Sequence, residues 1–159
     1  MTRMGAVAAA GLDGFDRHLL RLVQRDNRLT HAELGERVGL SVSAVRRRLA
    51  RLRADGIIQR DVSLLSREMG GVQFLVSVSF EREDAAAIDA FRAALQSLEP
   101  VRQVYHVAGP VDYVLLVEGP DLAWFESWSA ETFLAHPAVR RTDTQVVWSC
   151  QKFETAVPI

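Results

Sequence analysis

Arg46, Arg47, Arg48, Arg51 and Arg53 crowd into one short run of this 159-residue chain. A guanidinium presents a rigid fork of N–H donors, which matches two phosphate oxygens or the O6 and N7 of a guanine. Such a cluster has two chemistries open to it: recognition of a polyanion, or a solvated helix face paired to acidic neighbours. Spacing separates its members. Val42, Val45, Leu49 and Leu52 recur at helical intervals, and at about 100° per residue they define a face turned toward a core. The opposite face centres on Arg47 and holds Ser43, Ala44, Ala50, Arg51 and Ala54. Small residues beside two arginines allow a helix to approach the floor of a DNA major groove. Arg46, Arg48 and Arg53 fall on the flanks, toward phosphates or acidic neighbours. The expected contacts to double-stranded DNA are Ser41, Ser43, Ala44, Arg46, Arg47, Arg48 and Arg51.

Local signals show how such a helix would be positioned. Thr30 with Glu33 three residues on is a capping box, so a helix should start at Thr30. Gly39 sits where that helix ends, because a residue without Cβ enters the left-handed conformation freely. Ser41 supplies the next N-cap, and Gly56 stops the arginine-rich helix. Two helices joined by so tight a turn form a helix-turn-helix. Upstream, Leu12 and Asp13 open a helix to about Gln24, with Phe15, Leu19, Leu22 and Val23 on one face. It should complete a three-helix core, to which Ile57 and Ile58 return.

Charge is divided unevenly along the chain. Residues 1–60 hold 12 Lys+Arg against 6 Asp+Glu, leaving 7 and 14 for the remainder, within a net charge of −1. The first part suits a polyanion and the second does not. Cys150 is the single cysteine, so no intrachain disulfide forms, which fits a reducing cytoplasm. No apolar run approaches the roughly 20 residues of a membrane span. The opening residues 1–11 read as a disordered tail, their apolar run being too weak for a secretion signal.

Beyond the expected helix-turn-helix domain, residues 12–58, periodicity weakens over 59–71, which reads as a hinge ending in Gly70-Gly71. The period then changes. Val72, Phe74, Val76, Val78 and Phe80 alternate with Gln73, Leu75, Ser77 and Ser79, a half-buried strand. A helix follows from Asp84 to Leu98, with Ile88, Phe91, Leu95 and Leu98 inward. Strands over Val101–Val107 and Val111–Glu118 flank Ala108-Gly109-Pro110 as a hairpin. Asp121 N-caps a helix with Leu122, Phe125 and Trp128 that ends near His136-Pro137. Thr142 to Gln151 reads as the last strand, with Thr142, Thr144, Val146 and Trp148 on one face. The order strand, helix, strand, strand, helix, strand is the ferredoxin-like arrangement. The fold class expected is therefore α+β, a three-helix helix-turn-helix domain followed by a βαββαβ ferredoxin-like domain over 72–159. Apolar residues on both sides of Tyr113–Val117 call for a second subunit on the open face of the sheet.

This combination resembles the Lrp/AsnC family of bacterial and archaeal transcription regulators, over nearly the whole chain. LDGFDRHLL at Leu12–Leu20 is similar to the family's LDxxDxxIL opening, and SVSAVRRRLARLRADGII at Ser41–Ile58 to its SxSxVxxRxxxLxxxGxI segment. VAGPVDY at Val107–Tyr113 matches the GxxDY hairpin, and TDTQVVWSCQK at Thr142–Lys152 resembles the closing TxT strand with its lysine. The resemblance implies a transcription regulator whose second domain oligomerises, as a dimer or a larger assembly such as an octamer, and senses an amino acid or related metabolite. The effector positions it implies are Gly109, Asp112 and Tyr113, with Thr142 and Thr144 nearby. Asp112 would pair with an α-ammonium, and backbone N–H groups and hydroxyls would take the carboxylate. Plainer roles stay open at the same positions: Gly109 as a turn residue, Asp112 as a brace of its hairpin, Tyr113 as core. Ala108 stands where the family commonly has Thr or Ser before that glycine, and Pro110 stiffens the loop.

Two other functions remain open. An architectural DNA-binding protein without an effector would use the same helix-turn-helix. Some siroheme decarboxylases resemble the family in both domains, with His106 the one acid or base beside the hairpin. Against an enzyme, His18, His31, His106 and His136 lack metal-ligand spacing, and no nucleophile motif or phosphate-binding glycine loop is present. No catalytic residue, metal or cofactor is expected. Trp124 and Trp128, at i and i+4, read as packing or subunit contacts.

Overall fold

A computed structural model describes residues 11–81 and 85–159. The tail expected over residues 1–11 lies outside these, Gly11 excepted, as does Asp84 at the expected start of the fourth helix. The chain divides into two units, one running to Leu64 and including Lys152–Ile159, the other Leu65–Gln151.

In the first unit, three helices form because each start is capped. Helix α1, Gly14–Val23, begins at Asp13, whose carboxylate accepts the Asp16 N–H at 2.8 Å while Asp16 takes the Asp13 N–H at 3.2 Å. Helix α2, His31–Val38, begins at Thr30, whose Oγ1 accepts the Glu33 N–H at 3.2 Å while Glu33 takes the Thr30 N–H at 2.8 Å. Gly39 closes α2 with φ 72°, a conformation that costs residues bearing a Cβ about 1–2 kcal/mol. Gly35, inside α2, lets the chain turn tightly: a Cβ there would lie 2.5 Å from the Leu40 carbonyl oxygen. Helix α3, Val42–Ala54, follows its N-cap Ser41, whose Oγ accepts the Ala44 N–H at 3.3 Å.

Leu19, Leu20, Leu34, Val38, Val45, Leu49 and Leu52 make the buried core of this unit, and Ile57 and Ile58 pack against it. Two sequence expectations are corrected. Phe15 is 44% exposed, and Asp16 takes the buried position beside it. Val42 is 52% exposed, because it is the first residue of α3 and lies at the margin of the stripe formed by Val45, Leu49 and Leu52. Residues 152–159, read from the sequence with the sheet domain, pack with the helical unit: Ile159 lies against its core, Arg21 Nε donates to the Ile159 oxygen at 2.8 Å, and Gln24 exchanges two hydrogen bonds with the Val157 backbone.

The second unit is a four-stranded sheet in the order β2-β3-β1-β4, every neighbouring pair antiparallel. Its strands are β1 Val72–Phe80, β2 Val101–His106, β3 Tyr113–Gly119 and β4 Val139–Val146. Helix α4 is Ala85–Ser97, and α5, Leu122–Ser129, continues as a π turn over Ala130–Leu134. Alternation in β1 and β3 sends Phe74, Val76, Val78, Tyr113, Leu115 and Val117 to one face, where Phe91, Leu95, Phe125 and Phe133 cover them. Phe74 stacks on Phe125 at 3.9 Å between ring centroids. Trp124 and Trp128 stack on each other at 5.4 Å and pack against this core.

The last strand starts and ends earlier than expected. It pairs with β1 from Val139, opposite Phe80, and its final bond runs from the Val147 N–H to the Gln73 carbonyl at 2.8 Å. Pairing stops there, although Val72 would stand opposite Trp148, and Trp148 is 97% exposed.

Candidate nucleic-acid interface and ligand-site residues

The capped start of α3 and its buried stripe determine which arginines face outward. Arg48 lies on the flank toward α1, where its Nη1 meets Asp13 at 2.7 Å and Asp16 at 2.8 Å. Arg51, one turn on, donates Nη2 to the other Asp16 oxygen at 2.5 Å. Asp16 is fully buried, so two guanidinium groups compensate its charge where water does not reach it. The Arg48 guanidinium also sits 5.4 Å from the centre of the Phe15 ring, a cation–π distance. These contacts explain the inversion of Phe15 and Asp16: the acid turns inward to its partners and the ring becomes a lid over one of them. Hydrogen bonds to Asp16, then to Asp13, hold the Arg48 proton more firmly than in an ordinary arginine. Asp13 is held below the usual carboxylate range, chiefly by the Asp16 N–H and then by Arg48. Arg53 pairs with Asp61 at 3.1 Å.

Two arginines remain. The guanidinium groups of Arg46 and Arg47 make no hydrogen bond or ion pair among the described residues, and both side chains are exposed. With Ser41, Val42, Ser43 and Ala50 they line a shallow depression on the outer face of α3. Ser41 and Ser43 lie within hydrogen-bond distance of each other, Oγ to Oγ 3.1 Å. Ala44 is half-buried at the edge of this face.

The expected DNA contacts thus divide. Ser41, Ser43, Arg46 and Arg47 share one open surface, whereas Arg48 and Arg51 meet Asp16 and tie α3 to α1, the acidic neighbour being the alternative left open for Arg48. Helical spacing placed Arg51 on the outer face, but it could not show that a buried acid lies within reach. The missed signal is the acidic pair Asp13 and Asp16 opposite an excess of arginine. Val42, expected in the core, is the other omission.

In the sheet unit the expected ligand residues gather around the end of β1. Asp112 joins the hairpin to β1: its N–H donates to the Val78 carbonyl at 3.0 Å, and its Oδ2 accepts the Phe80 N–H at 2.9 Å. Its carbonyl accepts the Val107 N–H at 3.1 Å, closing the loop that carries exposed Gly109. Tyr113 is 6% exposed and belongs to the core, tilted against Phe80 and stacked on His106 at 4.8 Å. Thr142 pairs with Val78 and Thr144 with Val76 on the far side of β1. Asp112 and Thr142 therefore flank the same stretch of β1, with one Asp112 oxygen committed to the backbone. Tyr113 takes the packing position that was left open for it beside the ligand role. Its ring fills the helix-covered face of the sheet.

The family model for winged helix-turn-helix DNA-binding matches residues 12–59, and that for the Lrp/AsnC ligand binding domain matches residues 73–157. An HTH-type transcriptional regulator of Sinorhizobium fredii is 39% identical over 153 residues, covering 95% of this chain and 90% of that protein. The leucine-responsive regulatory protein of Salmonella typhimurium is 35% identical over 138 residues, 86% of this chain and 84% of that protein. Among solved structures, a transcriptional regulator from Neisseria meningitidis in complex with L-Met aligns with a TM-score of 0.86 at 33% identity, covering 92% of this chain and 96% of that one.

Proposed function

The chain belongs to the Lrp/AsnC family of transcriptional regulators, with a helix-turn-helix DNA-binding domain and a ligand-binding domain, and on that premise we propose how it reads DNA and what it senses. Arg47 takes a guanine edge in the major groove and Arg46 a phosphate, while Ser41 and Ser43 anchor the first turn of α3. The carrying observation is the sorting of charge on α3: Arg48, Arg51 and Arg53 face acids, and Arg46 and Arg47 face open space. Two copies of the chain would present two such helices to half-sites one helical turn, or a multiple, apart. The open face of the sheet supports pairing, because Leu75 is 39% and Tyr105 52% exposed there, beside half-buried Val114 and Leu116. Light scattering on the full chain measures the assembly.

The ligand we propose is an amino acid, held across the stretch of β1 that the hairpin and β4 flank from its two sides, with Asp112 Oδ1 facing the ammonium and Thr142 near the carboxylate. The regulator from Neisseria meningitidis described with L-Met supports that class. An effector acts only as far as it binds one assembly better than another. We read the protein as a non-enzymatic regulator acting in the cytoplasm. Selection of duplexes from random-sequence DNA, repeated with a pool of amino acids, tests both parts. A selected sequence whose affinity changes with the pool is the expected result. Selection without response to the pool would favour an architectural protein, a reading the commitment of Asp112 Oδ2 to Phe80 also supports. No enriched sequence would refute both.

A further inference from the structure

We propose that Val42 reads the 5-methyl group of a thymine in the major groove, a specificity contact that rests on the assignment of α3 to DNA. The stripe Val45, Leu49 and Leu52 is buried to within 2% exposure, yet Val42, which shares its helical spacing, is 52% exposed. It is the first residue of α3 and lines the same depression as Ser43, Arg46, Arg47 and Ala50. A recognition helix contacts base edges through its N-terminal residues, so this apolar side chain stands where bases are read. An isopropyl group can neither donate nor accept a hydrogen bond. Among the groups the four bases show in the major groove, the methyl of thymine is the apolar one.

Position fixes a further consequence. Val42 and Arg47 are five residues apart, about 7.5 Å along the helix axis at 1.5 Å per residue. They also lie about 140° apart around that axis, on opposite edges of the depression, so the thymine and the guanine under Arg47 should belong to different base pairs. Ser43 and Ala50, both small, leave room for the groove floor between them.

The test uses the full chain and a duplex it has selected from random-sequence DNA. Each thymine is replaced singly by uracil, which removes the methyl and leaves base pairing unchanged. Wild type should lose about four-fold in affinity at one thymine per half-site, the worth of one buried methyl-sized group. Val42→Ala should weaken binding to the thymine duplex and show no response to uracil at that position. The uracil arm uses unaltered protein, so it does not depend on the variant folding. Uracil without effect at every position, or an effect undiminished in Val42→Ala, would overturn the role of Val42 and leave DNA binding by α3 intact. Failure to select any sequence would overturn both.

Discussion

Replacing Asp16 with asparagine keeps the shape of the side chain and removes its charge. The carboxylate is fully buried and receives Arg48 at 2.8 Å and Arg51 at 2.5 Å. Removing one partner of a buried ion pair costs about 3–5 kcal/mol, because the other charge is left uncompensated. The Arg51 side chain is 47% exposed, so water solvates it and its share falls to the surface-pair range of about 0–1 kcal/mol. Arg48, at 22% exposure, carries the larger part. Taken together, the first unit should lose about 3 kcal/mol. In a domain of about 60–100 residues each kcal/mol moves Tm by about 4–8 °C, so its transition should fall by about 12–24 °C. Thermal melts of the full chain followed by far-UV circular dichroism measure the shift. Adding Arg48→Met removes the half-buried guanidinium that is then left with Asp13 alone, and should recover part of the loss. A shift of less than about 4 °C for Asp16→Asn, or no recovery in the double variant, would refute the idea that a buried ion cluster holds α3 in place.

Other outcomes follow from single contacts. Gly35→Ala places a Cβ 2.5 Å from the Leu40 oxygen and should destabilise the first unit by about 1–3 kcal/mol, read as a lower urea midpoint at unchanged slope. Asp13 and Glu33 are both held below the ordinary carboxylate range, Asp13 chiefly by the Asp16 N–H and Glu33 by the Thr30 N–H. Depressed carboxylates stabilise above their unfolded pKa, and that stability is lost as pH falls through the folded value. Tm of the helical unit should therefore stay flat from about pH 7 to 5 and fall below about pH 4; a decline already under way between 7 and 5 would place the sensitive group elsewhere. Asp112→Asn still accepts the Phe80 N–H, so Tm should hold while the rise in Tm produced by an amino-acid pool disappears. Persistence of that rise would remove Asp112 from the ligand site.

What the sequence made legible was local. Thr30 with Glu33, Gly39 and Ser41 each act within a few residues, and each stands in the structure at the helix end it marks. The order of elements along the chain was legible too, because the change from helical to two-residue spacing at Phe74, Val76 and Val78 marks β1 and each is buried there. Non-local pairing was not. The span of β4 depends on its register with β1, the docking of Ile159 joins residues 138 apart, and the burial of Asp16 depends on α1 crossing α3 beside Arg48 and Arg51. The candidate DNA face was half legible for the same reason: a helical wheel places arginines around an axis but does not show which of them meet an acid. Val42 shares the period of the buried stripe, and only its place at the end of α3 exposes it.

The division of labour among the arginines of α3 is measured most directly by titrating wild type, Arg47→Ala and Arg46→Ala against a selected duplex and a scrambled one over a range of salt. Arg47→Ala should lose about 1–3 kcal/mol on the selected duplex and little on the scrambled one, as expected for a bidentate base contact. Arg46→Ala should weaken both alike and reduce the salt slope by about 1. Equal losses on both duplexes from both variants, or undiminished binding when both arginines are removed, would contradict the assignment of this face of α3 to DNA.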